Sequence, residues 1–303
     1  AMSTILITGG SGLIGSALTT ALLAQGHTVR HLSRAPRDRN GVRAFAWDPQ
    51  RGTLDKSALE GVDHIVHLAG ENIITKRWSR ERLKLCQESR TESAQLLLRA
   101  AREAGLHPKS FISASGVGYY GAVTTDTVFS ESDPNAQDVI GRLTRAWEDA
   151  VDEWTDITRV VKLRTPMVLA REGGGLPQFL RLAQWCVLAP LGSGKQWMPW
   201  VHIDDLVQLY IKAMENATMS GAYNACAGEQ LHQRDVMRAV AKAVRRPLFP
   251  IAVPAFALRL AMGERSALLT EGSRASSQRM KDAGFRFEFD TLESALRDLI
   301  GQN

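Results

Sequence analysis

Long apolar runs are absent from this chain. No stretch approaches the roughly 20 consecutive apolar residues that a membrane-crossing helix requires. Runs of like charge are also missing. The 37 basic residues are nearly balanced by 32 acidic ones, for a net charge of +5. A nucleic-acid arm is therefore not expected, and the mild excess fits a local patch for a phosphorylated ligand. Only three cysteines occur, Cys86, Cys186 and Cys226, all far apart. With no Cys-x-x-Cys pair, neither a zinc site nor a disulfide frame is expected. The first strand-like run starts at Ile5, so no signal peptide is expected. These absences together point to a reduced, cytoplasmic setting without metal, membrane or nucleic-acid partners.

What the 303 residues do contain is an alternation of two periodicities. Ile5-Leu6-Ile7 is a short buried-strand run, followed by a turn at Gly9 to Gly12. Leu13, Ile14, Ala17, Leu18, Ala21 and Leu22 then recur at helical spacing, Gly26 closes that helix, and Thr28–Leu32 is strand-like again. Further strand-like segments are 44–47, 64–68, 110–113, 159–164 and 222–225. Helices are expected over 79–105, 136–154, 202–214 and 291–299. Strands alternating with helices predict an α/β fold with a Rossmann-type, doubly wound parallel sheet. Residues 1–165 with 201–226 are expected to form it, and 166–200 with 227–303 a smaller substrate-side lobe.

The turn reads Thr8-Gly9-Gly10-Ser11-Gly12-Leu13-Ile14-Gly15, with glycines spaced G-x-x-G-x-x-G. Gly9 can take backbone angles closed to other residues. Gly12 lets the main chain approach a pyrophosphate, and Gly15 lets helix and strand pack closely. The helix start at Leu13 and Ile14 offers free N–H groups and a positive dipole end. The context of strand, turn and amphipathic helix makes this a dinucleotide site rather than a merely structural turn. At the end of the second strand an acidic residue would grip a ribose 2′-hydroxyl and favour NAD(H). Ser33-Arg34 stands there instead, with Arg37 and Arg39 following. Serine and arginine suit a 2′-phosphate, so NADP(H) is expected ahead of NAD(H).

With these residues in view, the chain resembles the extended short-chain dehydrogenase/reductase superfamily. It is most similar to the atypical branch called epimerase family proteins (NAD-dependent epimerase/dehydratase-like), which has its own C-terminal domain. The resemblance covers nearly the whole chain. It is carried by the glycine turn, Val66-His67-Leu68-Ala69-Gly70-Glu71-Asn72, Phe111-Ile112-Ser113-Ala114-Ser115 and Tyr119-Tyr120-Gly121. Ala146-Trp147-Glu148, Leu163-Arg164-Thr165, Gly192-Ser193-Gly194-Lys195-Gln196-Trp197 and Trp200-Val201-His202-Ile203-Asp204-Asp205 continue it. By this resemblance Leu68, Ala69, Gly70 and Glu71 lie along the cofactor. Ser113 and Ser115 end the strand that holds the superfamily's catalytic serine or threonine, with Ser115 the better match. Arg164, Thr165 and Pro166 end the strand that faces the nicotinamide.

One part of the pattern is missing. The superfamily uses Tyr-x-x-x-Lys, in which tyrosine moves the proton and lysine lowers its pKa. Val123, Thr124, Met214 and Ala227 stand four residues after the four tyrosines, Tyr119, Tyr120, Tyr210 and Tyr223. Three accounts remain open: another proton donor, cofactor binding without turnover, or a substrate activated enough to need no strong acid. Tyr120, with Tyr119 beside it, is the candidate donor if a cation lowers its pKa. His67 and Glu71 are further candidates. Trp78, Trp197, Trp200 and Gln196 are candidates for a flat-sided substrate cleft, with Gly192 and Gly194 letting its loop close; for Trp197 and Trp200 core packing is the equal alternative. Arg164 is the candidate for holding an anionic substrate, ahead of Arg77 and Arg80. Asp204 and Asp205 are read as stabilising a helix start. The expected function is an NADP(H)-dependent oxidoreductase or epimerase acting on a small molecule. The alternative is a non-catalytic NADP(H)-binding sensor.

Overall fold

The computed structural model describes residues 2–301. In chain order the strands are β1 (Thr4–Thr8), β2 (Thr28–Ser33), β3 (Arg43–Asp48), β4 (Thr53–Leu54), β5 (His64–His67) and β6 (Ser110–Gly116). They continue as β7 (Val128–Phe129), β8 (Val160–Thr165), β9 (Met167–Ala170), β10 (Gly173–Gly174), β11 (Trp200–His202), β12 (Gly221–Asn224) and β13 (Arg274–Ala275). The principal helices are α1 (Leu13–Ala24), α2 (Arg80–Glu103), α3 (Val139–Asp152), α4 (Leu176–Gln184), α5 (Ile203–Glu215), α6 (Gln233–Ala243) and α7 (Ala255–Met262). A C-terminal helix covers Leu292–Ile300.

Eight strands form the main sheet in the order β12-β8-β6-β5-β1-β2-β3-β4. All neighbours are parallel except β3 with β4. Alternate side chains of β1 explain the two helical layers. Ile5 and Ile7 pack in one buried cluster with Leu18 of α1 and Leu206 of α5. Leu6 packs in the other with Leu97 of α2 and Ala150 of α3. A strand covered on both faces has no polar alternation, which is why Ile5-Leu6-Ile7 is continuously apolar. Strand order reverses direction at β1, between β2 and β5. Such a switch point opens a crevice at the C-terminal strand ends.

Pro166 ends this sheet's reach along the chain. Lacking an N–H, it cannot continue a ladder, and β9 restarts in a separate sheet of order β10-β9-β11. That sheet packs with α4, α6 and the C-terminal helix through Leu169, Leu176, Trp200, Val236, Val240, Leu292 and Leu296. The chain changes cluster between Trp200, buried here, and Val201, buried under the main sheet. The tail is tied back by Asp205, whose carboxylate accepts from the N–H groups of Glu288 and Phe289 at 2.8 and 3.0 Å. The helix expected from residue 136 begins only at Val139. Asp138 caps it there, its Oδ1 accepting from Gly141 N at 2.7 Å. No helix among the described residues is long and apolar enough to cross a membrane.

Candidate functional site

The glycine turn sits at the switch point. Gly9 has φ +70°, the left-handed region that favours glycine, and a Cβ there would meet the backbone of Leu68 and Ala69 at 3.0–3.1 Å. A Cβ on Gly15 would be driven into the Gly9 carbonyl. Gly12 is the N-cap of α1. No side chain caps the helix, and its first turn holds no acidic residue. The N–H groups at Leu13 and Ile14 therefore face the crevice end with their dipole uncompensated. Leu13 also packs its side chain beneath Gly173, and Ile14 packs against the core. This cradle fits a dinucleotide pyrophosphate: close backbone approach, uncapped donors and no competing carboxylate.

Thr8 and His67 splice β1 to β5 beneath the cradle, a role for Thr8 that sequence reasoning missed. Thr8 Oγ1 accepts from the N–H groups of Leu68 and Ala69, both at 3.1 Å. It therefore donates to His67 Nδ1 at 2.8 Å, while the other ring nitrogen donates to Ser93 Oγ at 3.1 Å. His67 is fully buried, and burial lowers its pKa to about 4. The imidazole is a locked neutral spacer, which removes it as a proton donor.

At the end of β2, Ser33 Oγ accepts from Ala35 N. The Arg34 side chain is 73% exposed and only loosely paired with Glu71, at 3.8 Å. The carboxylate of Glu71 is held more closely by Arg82, at 3.1 Å, so it is an ion-pair partner here rather than a free acid. Arg90 went unnoticed in the sequence. Its guanidinium lies over the Trp147 ring, 4.8 Å from the centroid. It also lies so close to exposed Gly70 that a Cβ there would meet it at 3.0 Å. Its Nη1 donates to Cys86 O, but its Nε is buried without a partner among the described residues. Burial lowers its pKa. A desolvated cation with no bound carboxylate, beside the strand end at Leu68–Gly70, is a ready anion holder.

The corner where β6, α3 and β8 meet has a different character. Ser115 Oγ donates to Glu148 Oε1 at 2.6 Å. Glu148 receives Arg164 through Nε and Nη2 at 2.8 and 2.9 Å, a bidentate pair. Lys162 stands 3.5 Å from the same carboxylate. Burial pushes the Glu148 pKa up, but the Arg164 bonds and charge, with Lys162 and Ser115, outweigh it and hold the carboxyl below its usual range. Arg164 also donates to Tyr120 OH at 2.9 Å, and its guanidinium lies over the Tyr119 ring, 3.5 Å from the centroid. Tyr120 OH in turn donates to Asn224 Oδ1 at 2.8 Å. Its pKa is raised: burial dominates, and the Arg164 cation only partly opposes it.

The expected roles of three residues change accordingly. Tyr120 is 1% exposed and its proton is already committed, so the neighbouring cation does not make it an acid. Arg164, 2% exposed, has its charge matched by Glu148 rather than free for a substrate. Ser115 remains at the strand end, 4% exposed, with its hydroxyl turned to Glu148. Ser113 Oγ donates to Ala114 O, and Thr165 Oγ1 to Leu163 O, both local bonds. Pro166 is buried at the break between sheets.

The comparisons with known proteins agree with this architecture. The NAD dependent epimerase/dehydratase family model matches residues 5–226, and a domain of unknown function, DUF1731, matches 253–299. The chain belongs to the NAD dependent epimerase/dehydratase family. Among its relatives, an epimerase family protein of Mycobacterium leprae is 35% identical over 96% of this chain and 94% of its own length. The bovine epimerase family protein SDR39U1 is 35% identical over 98% of this chain and 99% of its own. A crystal structure of human epimerase family protein SDR39U1 with NADPH superposes with a TM-score of 0.88. It is 31% identical, and 98% of each chain is covered.

Within this family's frame, α3 turns Ile140, Thr144 and Glu148 toward the end of β6 at four-residue spacing. No phenol and no ammonium stands on that face. The expected substrate rim also divides. Trp200 is fully buried core, whereas Trp197 is half-buried, stacked on His232 at 3.9 Å beside Arg274. Trp78 is half-buried and donates to Ile73 O. The loop at Gly192 and Gly194 is stapled rather than hinged. Gly192 N donates to Val253 O, and buried Gln196 bridges Leu191 O and Leu269 O. Arg77 donates to Leu260 O, and Arg80 is exposed at the start of α2. Asp204 is exposed, while His202 caps α5 by accepting from Asp204 N and Asp205 anchors the tail.

Proposed function

We propose that the chain is an NADP(H)-dependent oxidoreductase of epimerase-like architecture, acting on a small molecule that brings its own activation. The carrying observation is the end of β2, where an exposed Arg34 and Ser33 stand in place of a carboxylate beside the uncapped glycine cradle. The NADPH held by the human relative supports the same preference. Gly9, Gly12, Leu13, Ile14 and Gly15 would hold the pyrophosphate, Ser33 and Arg34 the 2′-phosphate, and the stretch from Leu68 to Glu71 the ribose side. When bound, the cofactor supplies or accepts a hydride.

The protein's own contribution follows from its proton inventory. Tyr120 is raised out of reach, His67 is locked neutral, and Glu148 is held ionised by Arg164. None is a general acid poised near neutral pH. Ser115 is left as the hydroxyl at the strand end, oriented by Glu148, and Arg90 as the cation. A substrate reduced at such a site needs little proton assistance. The second reading, an NADP(H)-binding sensor without turnover, is favoured by the same closed corner.

Fluorescence titration with NADPH and NADH, for the protein and Arg34→Ala, tests the cofactor reading. A preference for NADPH that Arg34→Ala abolishes supports it, and equal weak binding of both nucleotides refutes it. NADPH oxidation across activated carbonyls, conjugated enones and nucleotide sugars then separates the two functions. Turnover on any of them removes the sensor reading, and tight binding with no oxidation favours it.

A further inference from the structure

Residues 173–203 and 236–263 contain no aspartate or glutamate. They hold seven of the chain's cationic residues, among them Arg181, Arg245, Arg246 and Arg259. The same two stretches hold seven of the eleven large apolar side chains that are exposed among the described residues. Trp185, Phe256 and Leu260 are 76%, 75% and 80% exposed, and Leu182, Val187, Phe249 and Ile251 complete the set.

The two stretches run side by side. Phe249 N donates to Leu188 O, Val253 N to Pro190 O, and Gly192 N to Val253 O, at 2.8–2.9 Å. α7 follows directly, with the sequence Ala-Phe-Ala-Leu-Arg-Leu-Ala-Met, and none of its eight residues is buried. Only Ala257, Leu258 and Met262 are half-buried, so this apolar helix has little of the packing that ordinarily stabilises a surface helix in water. Two non-glycine residues take left-handed backbone angles on this face, Cys186 at φ 57° and Arg245 at φ 54°. They close α4 and α6 and turn the chain beside Trp185 and Arg246.

We infer that this face seats the protein on an anionic lipid bilayer. Three features select a lipid surface over a protein partner. Only Arg238 of the seven cations is paired, with Asp235 at 2.9 Å; the other six have no ion-pair partner among the described residues and stand beside exposed apolar groups, which matches acidic headgroups above acyl chains. The apolar groups protrude singly from three short segments instead of lining a pocket, whereas protein hot spots sit in well-packed pockets. The most exposed aromatic is a tryptophan, the residue enriched at the headgroup level. The run lengths that excluded a membrane partner in the sequence exclude only crossing, since a helix lying on the surface needs no long run. α7 also touches the loop after Glu71, through Arg77 to Leu260 O, and the turn that follows α7 reaches the same loop through Arg265 to Ile74 O. Seating this face therefore brings the mouth of the nucleotide crevice beside the bilayer.

The test is co-sedimentation of the full chain with phosphatidylcholine vesicles, with and without phosphatidylglycerol, at low and high salt. The expected result is binding to the anionic vesicles at least about tenfold above the neutral ones, weakened by salt. Phe256→Glu with Leu260→Glu abolishes it, and Arg245→Gln with Arg246→Gln lowers it about fivefold per arginine. All four side chains lie outside the proposed nucleotide site, so NADPH titration of each variant reports that it is folded. Equal, absent or salt-insensitive vesicle binding overturns the inference. So does a concentration-dependent dimer, seen by size exclusion and broken by Phe256→Glu, in a protein that ignores vesicles.

Discussion

The glycine turn and the Ser115–Glu148–Arg164 corner lie at the same edge of one sheet and are built in opposite ways. At the turn, donors are left unsatisfied, cations are exposed or unmatched, and backbone is brought close enough to exclude every side chain. At the corner the charges of Glu148, Arg164 and Lys162 are matched, and the Ser115 and Tyr120 hydroxyls are oriented by hydrogen bonds. The contrast teaches that cofactor grip and proton chemistry are separable properties of this fold. The turn depends on backbone and glycine, and the corner on buried side chains that pair with one another.

The sharpest way to break that contrast is Glu148→Ala. It leaves buried Arg164 unpaired and is expected to cost about 3–5 kcal/mol in urea unfolding. A variant as stable as the wild type would show that the corner is not core. Glu148→Leu with Arg164→Met should recover most of the loss.

His67 tests the turn side. Its folded pKa, about 4, lies below the unfolded value of 6.5. The unfolded chain therefore takes up the proton first as pH falls. Stability from this residue is complete above pH 6.5 and is lost progressively between pH 6.5 and pH 4. The expected loss is about 3 kcal/mol. His64, also lowered to about 4 by burial, contributes to the same window, so His67→Asn should reduce the slope there without abolishing it, and an unchanged slope would contradict the locked-neutral assignment.

Next in size are the two arginines of the turn side. Arg34→Ala should weaken NADPH alone, and Arg90→Met should weaken NADPH and NADH equally. Each loss is expected at about tenfold or more, as for a charged hydrogen bond. If Arg90→Met spares both nucleotides, its anion is not on the cofactor. The smallest effect is expected for Tyr120→Phe, about 1 kcal/mol in stability with NADPH affinity unchanged. Loss of turnover without loss of stability would restore Tyr120 as a catalytic residue.

Much of the sheet was legible because local signals coincide there. The apolar run at Ile5, the glycine spacing and the helix closed by Gly26 all lie within one short stretch, and each follows from near neighbours. The small sheet was not legible, because β9 and β11 are separated by residues 171–199 and pair only in the folded chain. α4 was hidden by its flanking glycines and Pro177, which punctuate the sequence like a loop. At the candidate site, residue types predicted position better than role. Tyr120 and Arg164 lie at the strand ends where they were expected, yet their chemistry is set by Glu148 and Asn224. Those partners come from α3 and β12, and no spacing rule connects them. Arg90 escaped notice because an arginine in a charged helix looks solvated, and only packing on Trp147 and Gly70 removes it from water.

Among the described residues β12 pairs only with β8, and its Asn224 bonds to Ser276 O, while Asp205 waits for the N–H groups of residues 288 and 289. On a ribosome, β1, β2, β5 and β6 can therefore assemble long before the far edge and the tail emerge. During that interval the β8 edge stands open, a template for mispairing with other nascent chains. Early occupation of the crevice by nucleotide would favour the partly built sheet through mass action. Cofactor supply would then influence how much protein matures, quite apart from any reaction the finished molecule performs.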